Sequence, residues 1–354
     1  MQLSEASAAE VGNQPGVFLL RMKDPRRQPY LSRTRVLGRR LLRLARMPNL
    51  RDAVDHVELW PTGSTLESQI TMYRLAREHF PDSYLKLLNL RLPPFLRISF
   101  ADRFPRTRIT AQLPRAPGLN FGPFRSRASA ERFESQFLDL FQLRRCPEEL
   151  HPSPRHPGCV YGEMGMCLRP CQEQVGPDEY AHEVERASAF LATAGLSLLK
   201  SATGIRDRFS QDMDFEEAAR QHKRVEKIEE VIRSRDEMAL PLDGLNAVAV
   251  TRSAVPEAVE LSIIRGGHWQ GIERVSFELV DGRPVSLDAT LRETFARSGG
   301  VELPPRERQE YLAIAARWFY STWRDGEMLF FDNPANPPYR KLVHAISRVH
   351  RGIV

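Results

Sequence analysis

The chain has four cysteines in 354 residues, and all of them fall within one 26-residue stretch: Cys146, Cys159, Cys167 and Cys171. The intervals between them are 12, 7 and 3 residues, and Pro170 stands directly before the last. Thiolates are soft ligands that select zinc or iron–sulfur centres. Structural zinc ribbons draw their ligands from two close C-x2-C pairs, a spacing not found here. A four-thiolate [4Fe–4S] cluster accepts uneven spacing and fits better, with zinc as the alternative. Four unrelated buried cysteines or two disulfides are the plainer readings, and the confinement of every thiol to one segment speaks against them.

A second chemistry is cationic. Between Arg21 and Arg51 eleven Lys or Arg residues accompany one acid, Asp24, although the whole chain carries only +6. A charge run is ordinarily a solvated face, but ten net charges in 31 residues exceed what solubility needs and suit a polyanion. Val36, Leu37, Leu41 and Leu44 have helical spacing, with Arg39, Arg40, Arg43 and Arg46 among the intervening and flanking positions. Such a helix is buried on one side and arginine-coated on the other. It would bind phosphates with salt dependence and without sequence readout, through Arg33, Arg35, Arg39, Arg40 and Arg43.

These residues must be positioned by a chain long enough for two to four small domains. Hydrophobic content of 42% and charged content of 27% are ordinary for a globular protein. No run approaches a membrane span, and Met1-Gln2-Leu3-Ser4-Glu5 lacks a signal-peptide pattern, so no membrane partner is expected. The expectation is a cytoplasmic protein whose thiols stay reduced and available as ligands.

The stretch from Asn120-Phe121-Gly122-Pro123-Phe124 through Arg145-Cys146 to Cys167-Leu168-Arg169-Pro170-Cys171 resembles the middle of bacterial UvrC, the nuclease subunit of nucleotide excision repair. That family shows Tyr-Phe-Gly-Pro-Phe, a helix, and a Cys-rich region ending Cys-x-Gly-Pro-Cys. Here Arg169 stands at the family glycine. The resemblance implies an iron–sulfur cluster on the four cysteines.

Residues 16–90 resemble the GIY-YIG nuclease domain that opens UvrC. Pro15-Gly16-Val17-Phe18 is similar to Pro-Gly-Val-Tyr, Tyr30-Leu31-Ser32-Arg33 to Tyr-Val-Gly-Lys, and the helix through Arg40-Leu41 to the segment bearing the catalytic arginine. Ser64-Thr65-Leu66-Glu67 parallels Thr-Glu-Thr-Glu, and Pro81-Asp82-Ser83-Tyr84 parallels Pro-Arg-Tyr with one residue inserted. Such a nuclease needs a tyrosine pair, an arginine for developing phosphate charge, and a glutamate holding a divalent metal. Carried over, Tyr30 and Arg40 remain as relics. The first-motif tyrosine is Phe18, the second-motif glycine Ser32, the metal-binding glutamate Met72, and the asparagine after the tyrosine motif Leu85. A thioether cannot bind Mg2+, so none is expected. Glu67 is five residues away, about 140° round the same helix, and faces elsewhere. Without partners, Tyr30 is expected in the core and Arg40 is a candidate phosphate contact.

Residues 94–113 alternate as a hairpin, followed by a helix presenting Phe133, Phe137, Leu140 and Phe141. Helical spacing recurs at Tyr180, Val184, Ala187 and Leu191, and Gly204 lies within or breaks the next helix. Asp214 with Glu217 is a capping-box pattern opening a helix to about Arg235, with a stripe of Phe215, Ala218, His222, Val225, Ile228 and Ile232. His222 reads as a stripe residue and not a ligand. The string Phe215-Glu216-Glu217-Ala218-Ala219-Arg220 is similar to the UVR motif, the helical hairpin through which UvrC and UvrB recognise each other. The resemblance implies a UvrB-like partner. From Leu242 the pattern turns to strands at 247–251, 259–264 and Ile272 to Leu279, with a turn at Arg265-Gly266-Gly267. A helix near Arg306–Tyr320, a strand Met328–Phe331 and a helix near Tyr339–Arg351 close the chain. The aromatics Trp318, Phe319, Tyr320, Trp323, Phe330 and Phe331 are expected mainly in the core, base stacking being the sharper reading. The family's RNase H-like nuclease and helix-hairpin-helix units are not recognisable.

The expected fold is α+β and multidomain. It comprises a degenerate GIY-YIG-like α/β domain at 14–92, a hairpin, helix and Cys-rich cluster region at 93–175, a helical region with the UVR hairpin at 176–238, and a strand-rich α+β domain at 242–354. The expected function is a DNA-binding, non-catalytic accessory or regulator in nucleotide excision repair. The alternative is an active structure-selective endonuclease with a divergent metal site.

Overall fold

The computed structural model describes residues 1–277, 279–280, 283–284 and 286–353. They form two compact units, one of residues 1–91 together with 246–354, the other of residues 92–245. Helices flank antiparallel sheets in both, an α+β arrangement.

In the first unit, strand Gly16–Met22 lies at the centre of a three-stranded sheet between Tyr30–Thr34 and Val54–Pro61. Its residues 16–20 are buried without alternation, as a central strand covered on both faces must be. One cover is helix Leu37–Ala45, whose Leu37, Leu41 and Leu44 join Phe18 and Leu20 in a single core cluster. Helix Thr65–His79 begins where the Ser64 hydroxyl accepts from the Glu67 amide. Gly63, just before it, is required by close approach. A Cβ there would meet the Arg252 carbonyl oxygen at 2.3 Å.

A second sheet of this unit runs in the order His268–Ser276, Ala258–Arg265, Ala247–Arg252, Gly326–Phe330. Helices Leu287–Arg297 and Tyr339–Arg351 contribute Leu291, Phe295, Leu342 and Ile346 to its core. The strand expected from Ile272 to Leu279 begins earlier, at His268, and ends at Ser276. Its first half is widened by a register shift between Trp269 and Gly271, which hides the alternation; Glu278 lies outside the described residues. Helix Pro305–Phe319 buries the Glu310 carboxylate, which accepts from Tyr73 and Tyr84 hydroxyls at 2.6 and 2.7 Å and from Arg306 Nε at 3.0 Å. A buried carboxylate with three donors is satisfied.

The second unit orders its strands Thr107–Thr110, Phe95–Ser99, Gly118–Gly122, Leu240–Pro241. Phe121, Phe124, Phe133, Phe137, Phe141 and Phe190 fill its core. The phenylalanine helix is Arg127–Leu138, so Leu140 and Phe141 lie beyond its end, and Phe141 is buried from the following turn. Helix Pro177–Ala192 buries Tyr180, Val184, Ala187 and Leu191 as spaced. Helices Leu196–Gln211 and Phe215–Arg233 form a hairpin, with Gly204 inside the first.

Candidate functional site

The arginine surface follows from the packing of helix Leu37–Ala45. With its leucines turned inward, Arg39 is exposed, as is Arg33 at the end of strand Tyr30–Thr34, and Arg35 follows that strand. Arg40 is half-buried and its Nη2 donates to the Tyr30 hydroxyl at 3.3 Å. Arg43, one turn further along the helix, is exposed too. Among the described residues, carboxylates take Arg21, Arg27, Arg46 and Arg51, and none takes these five. Although Arg33 is exposed overall, partial desolvation of its guanidinium, with the charges of Arg317 and Arg35, pushes it below its usual range. Excess positive charge thus lies on both faces of this edge of the sheet.

Tyr30 corrects the expectation of a core residue. It is 40% exposed, because its strand is an edge of the sheet and the residue begins it. Its ring stands 6.0 Å from that of Phe18, which is fully buried. Antiparallel pairing sets Leu20 against Tyr30 and Val17 against Arg33, so strand alternation puts Tyr30 and Arg33 on opposite faces. Met72 lines a pocket of about 190 Å3 with Arg33, Gln69 and Arg317. The structure thus brings Tyr30 to Arg40, and Met72 to Arg33. Glu67 accepts from the Gly63 amide at 2.7 Å, and burial, with Glu260 nearby, pushes its carboxyl up to about 7.

The cysteine segment is loop, interrupted by a one-turn helix Val160–Glu163 directly after Cys159 and a short turn of helix Pro170–Gln172 containing Cys171. Polar ties hold its beginning. The Arg144 amide donates to the Tyr180 hydroxyl at 2.9 Å, and the Arg144 guanidinium donates to Phe104 and Glu148 carbonyls at 2.8 and 3.0 Å. Cys167 and Cys171 are buried, Cys146 half-buried and Cys159 exposed. Two sulfurs accept from cations or amides: Cys167 Sγ from the Arg169 amide at 3.4 Å, and Cys146 Sγ from Arg144 Nη1 at 3.7 Å. Burial pushes both the Cys167 and Cys171 thiols up, and charge on Cys146 and Cys159 adds to it. Among the described residues, no three His, Cys, Asp or Glu stand as a ready metal cage. Four thiols on one segment, two of them accepting N–H groups, are the donor set that a thiolate-bound centre would require.

Arg169 adopts φ 55° and ψ 49°, left-handed backbone that glycine enters without cost. Its Nε donates to the Gly162 carbonyl at 2.7 Å, a bond that a glycine at this position could not make.

The string Phe215–Arg220 opens the second hairpin helix, capped by Asp214 accepting from the Glu217 amide at 3.1 Å. Phe215 is 69% exposed beside Met213 at 77%. Glu216 and Ala219 are exposed, Glu217 and Ala218 half-buried, and Arg220 pairs with Glu217 at 2.7 Å. The expected stripe therefore divides. Val225 and Ile228 are buried, joined by Val231, whereas Phe215 and His222 face solvent and His222 is no stripe residue. The helix projects its first two turns beyond the core that covers its second half.

Sequence reasoning missed what the far end of the chain brings to the arginines. Trp323 and Asp325, between helix Pro305–Phe319 and strand Gly326–Phe330, line a pocket with Arg33, Arg35 and Thr65. Of the six aromatics Trp318, Phe319, Tyr320, Trp323, Phe330 and Phe331, Trp318 and Phe319 are buried and Trp323 is 38% exposed. No local pattern signals a pairing across some 260 residues.

Comparison with known proteins matches residues 94–190 to a protein-family model described as UvrC/Cho excinuclease, middle domain. The chain is 26% identical over 327 residues to UvrABC system protein C of Moorella thermoacetica, covering 89% of this chain and 52% of the relative. The corresponding protein of Acetivibrio thermocellus is 22% identical over 356 residues, 95% of this chain and 55% of the relative. That of Haemophilus influenzae is 26% identical over 297 residues, 81% and 48%. The chain spans about half the length of these relatives. No solved structure matches. No helix among the described residues is long and apolar enough to cross a membrane. Residues 94–190 thus match the middle domain of the UvrC/Cho excinucleases, and the chain around them is similar to UvrABC system protein C.

Proposed function

We propose that this protein binds DNA as a UvrC-like, non-catalytic accessory or regulator of nucleotide excision repair, acting with a UvrB-like partner. The observation that supports the reading is the set of exposed arginines around the Arg40–Tyr30 hydrogen bond; by the resemblance, Phe18 and Met72 stand where that family has a tyrosine and a metal-binding glutamate. Positive charge is kept and the oxygen ligand is gone. That combination favours phosphate binding over phosphodiester hydrolysis.

Cys146, Cys159, Cys167 and Cys171 would hold a [4Fe–4S] cluster, or zinc in its place. When bound, such a centre supplies folding energy and a fixed cross-link to a segment with little regular structure of its own. The hairpin tip, with Phe215 and Met213 exposed and Glu216 and Arg220 beside them, offers an apolar anchor within a charged rim for a matching helical hairpin.

Titration of DNA affinity against salt tests the reading. Replacing Arg39 and Arg43 by alanine should flatten the slope of log K against log salt by about 0.9 for each phosphate that is no longer neutralised. Affinity independent of salt, or an unchanged slope in the double variant, counts against it.

A further inference from the structure

We propose that the pocket bounded by Arg33, Arg35 and Trp323 takes one unstacked nucleotide of a DNA strand, its base against the Trp323 ring and its phosphate on the two guanidiniums. The proposal rests on the DNA-binding reading of the arginine surface and names the part of the ligand that one site would hold.

The cavity measures about 560 Å3, within the roughly 300–1,000 Å3 typical of small-molecule sites. Its walls combine the two features that a nucleotide presents. One side is aromatic and apolar. Trp323 is 38% exposed although the nearby Trp318 and Phe319 are buried, and Pro15 also lines the cavity. The other side is cationic. Arg33 and Arg35 have no carboxylate partner among the described residues, and the charges acting on Arg33 are those of Arg317 and Arg35.

The acid in the pocket is already engaged. Asp325 accepts from the Thr65 amide and hydroxyl, both at 2.6 Å, and from Trp318 Nε1 at 2.9 Å, at the N-terminus of a 15-residue helix whose dipole offsets its charge. The same three bonds tie Asp325, two residues after Trp323, to helix Thr65–His79 and to Trp318. Stacking on a tryptophan face is tolerant of base identity, and extrusion is least costly for a damaged or single-stranded base.

Binding of the full chain is measured with a fluorescent dT oligonucleotide, an abasic oligomer of the same length, and thymidine 5′-monophosphate. Trp323→Ala should weaken dT binding about tenfold, and Trp323→Phe, which keeps a stacking face, should stay within about threefold of wild type. The abasic oligomer should bind wild type and Trp323→Ala alike. Arg33→Gln with Arg35→Gln should weaken both oligomers. Equal dT affinity in wild type and Trp323→Ala overturns the pocket and leaves the arginine surface standing. Failure of wild type to bind either oligomer overturns the DNA reading as well. Saturable binding of the mononucleotide that needs Trp323, with oligomer affinity indifferent to it, overturns the strand assignment in favour of a free nucleotide.

Discussion

The sheet that carries Tyr30, with the helix that carries Arg40, and the segment that carries the cysteines are held together in opposite ways. In the first, the scaffold is complete. The central strand is buried on both faces, and Leu37, Leu41 and Leu44 seat the arginine helix. By the resemblance to a GIY-YIG nuclease, its tyrosine and metal-binding positions would fall on Phe18 and Met72. In the second, the scaffold is nearly absent: between Leu138 and Pro177 lie only one turn of helix after Cys159 and one around Cys171. Yet all four thiols are present. A packed core holds its shape after its chemistry goes, because apolar packing does not depend on the catalytic side chains. A loop segment has no such reserve and depends on whatever cross-links it.

The comparison can be broken by removing one support from each region. Cys167→Ser should cost the unit of residues 92–245 roughly 5 kcal/mol or more, out of the about 10–16 kcal/mol that structural metal binding contributes to small domains. Leu41→Ala should cost about 3 kcal/mol in the other unit whether or not the cluster is loaded. Hydrogen exchange resolved by unit, together with iron, sulfide and zinc counts, checks both. Unchanged protection and metal content in Cys167→Ser would remove the contrast.

A smaller effect distinguishes a docking anchor from a packed residue. Phe215→Ala should weaken capture of a UvrB C-terminal segment by about 2 kcal/mol. Because Phe215 is exposed, thermal stability should move by no more than about 0.5 kcal/mol. A large loss of stability with capture intact would make Phe215 part of the protein's own packing.

The smallest concerns Glu67. Its carboxyl is raised by burial to about 7. The folded state therefore holds a proton that the unfolded chain releases, and stability should fall as pH climbs from about 4.5 to 7. Glu67→Gln keeps an acceptor for the Gly63 amide and removes the ionisation. It should gain about 1–2 kcal/mol at pH 8 and nothing near pH 4, read from denaturant midpoints. Equal gain at both pH values would show that the charge is not the cause.

What could be read from the sequence was local. Leucines four and three residues apart announce the arginine helix, Asp214 with Glu217 the capped helix of the hairpin, and runs of β-branched and aliphatic residues the strands expected at 247–251 and 259–264, which run Ala247–Arg252 and Ala258–Arg265. The expectation for Tyr30 fails on sheet order, since nothing in its own neighbourhood says that its strand is an edge. The stripe through His222 fails because half of its helix projects beyond the core it was assumed to meet. The pocket at Arg33 is illegible for the same reason at greater distance: Asp325 reaches Thr65 across most of the chain. Helical and strand periods encode which face is apolar, and they are silent on which distant segment will cover it.

The central claim is retention of DNA binding with loss of cutting. Its most direct test is a nicking assay on damaged duplex in Mg2+ and in Mn2+, with and without a UvrB-like partner, run beside a binding measurement on the same samples. The account predicts retained, salt-sensitive binding and no metal-dependent cleavage in wild type. Metal-dependent nicking that disappears in Arg40→Ala would contradict it.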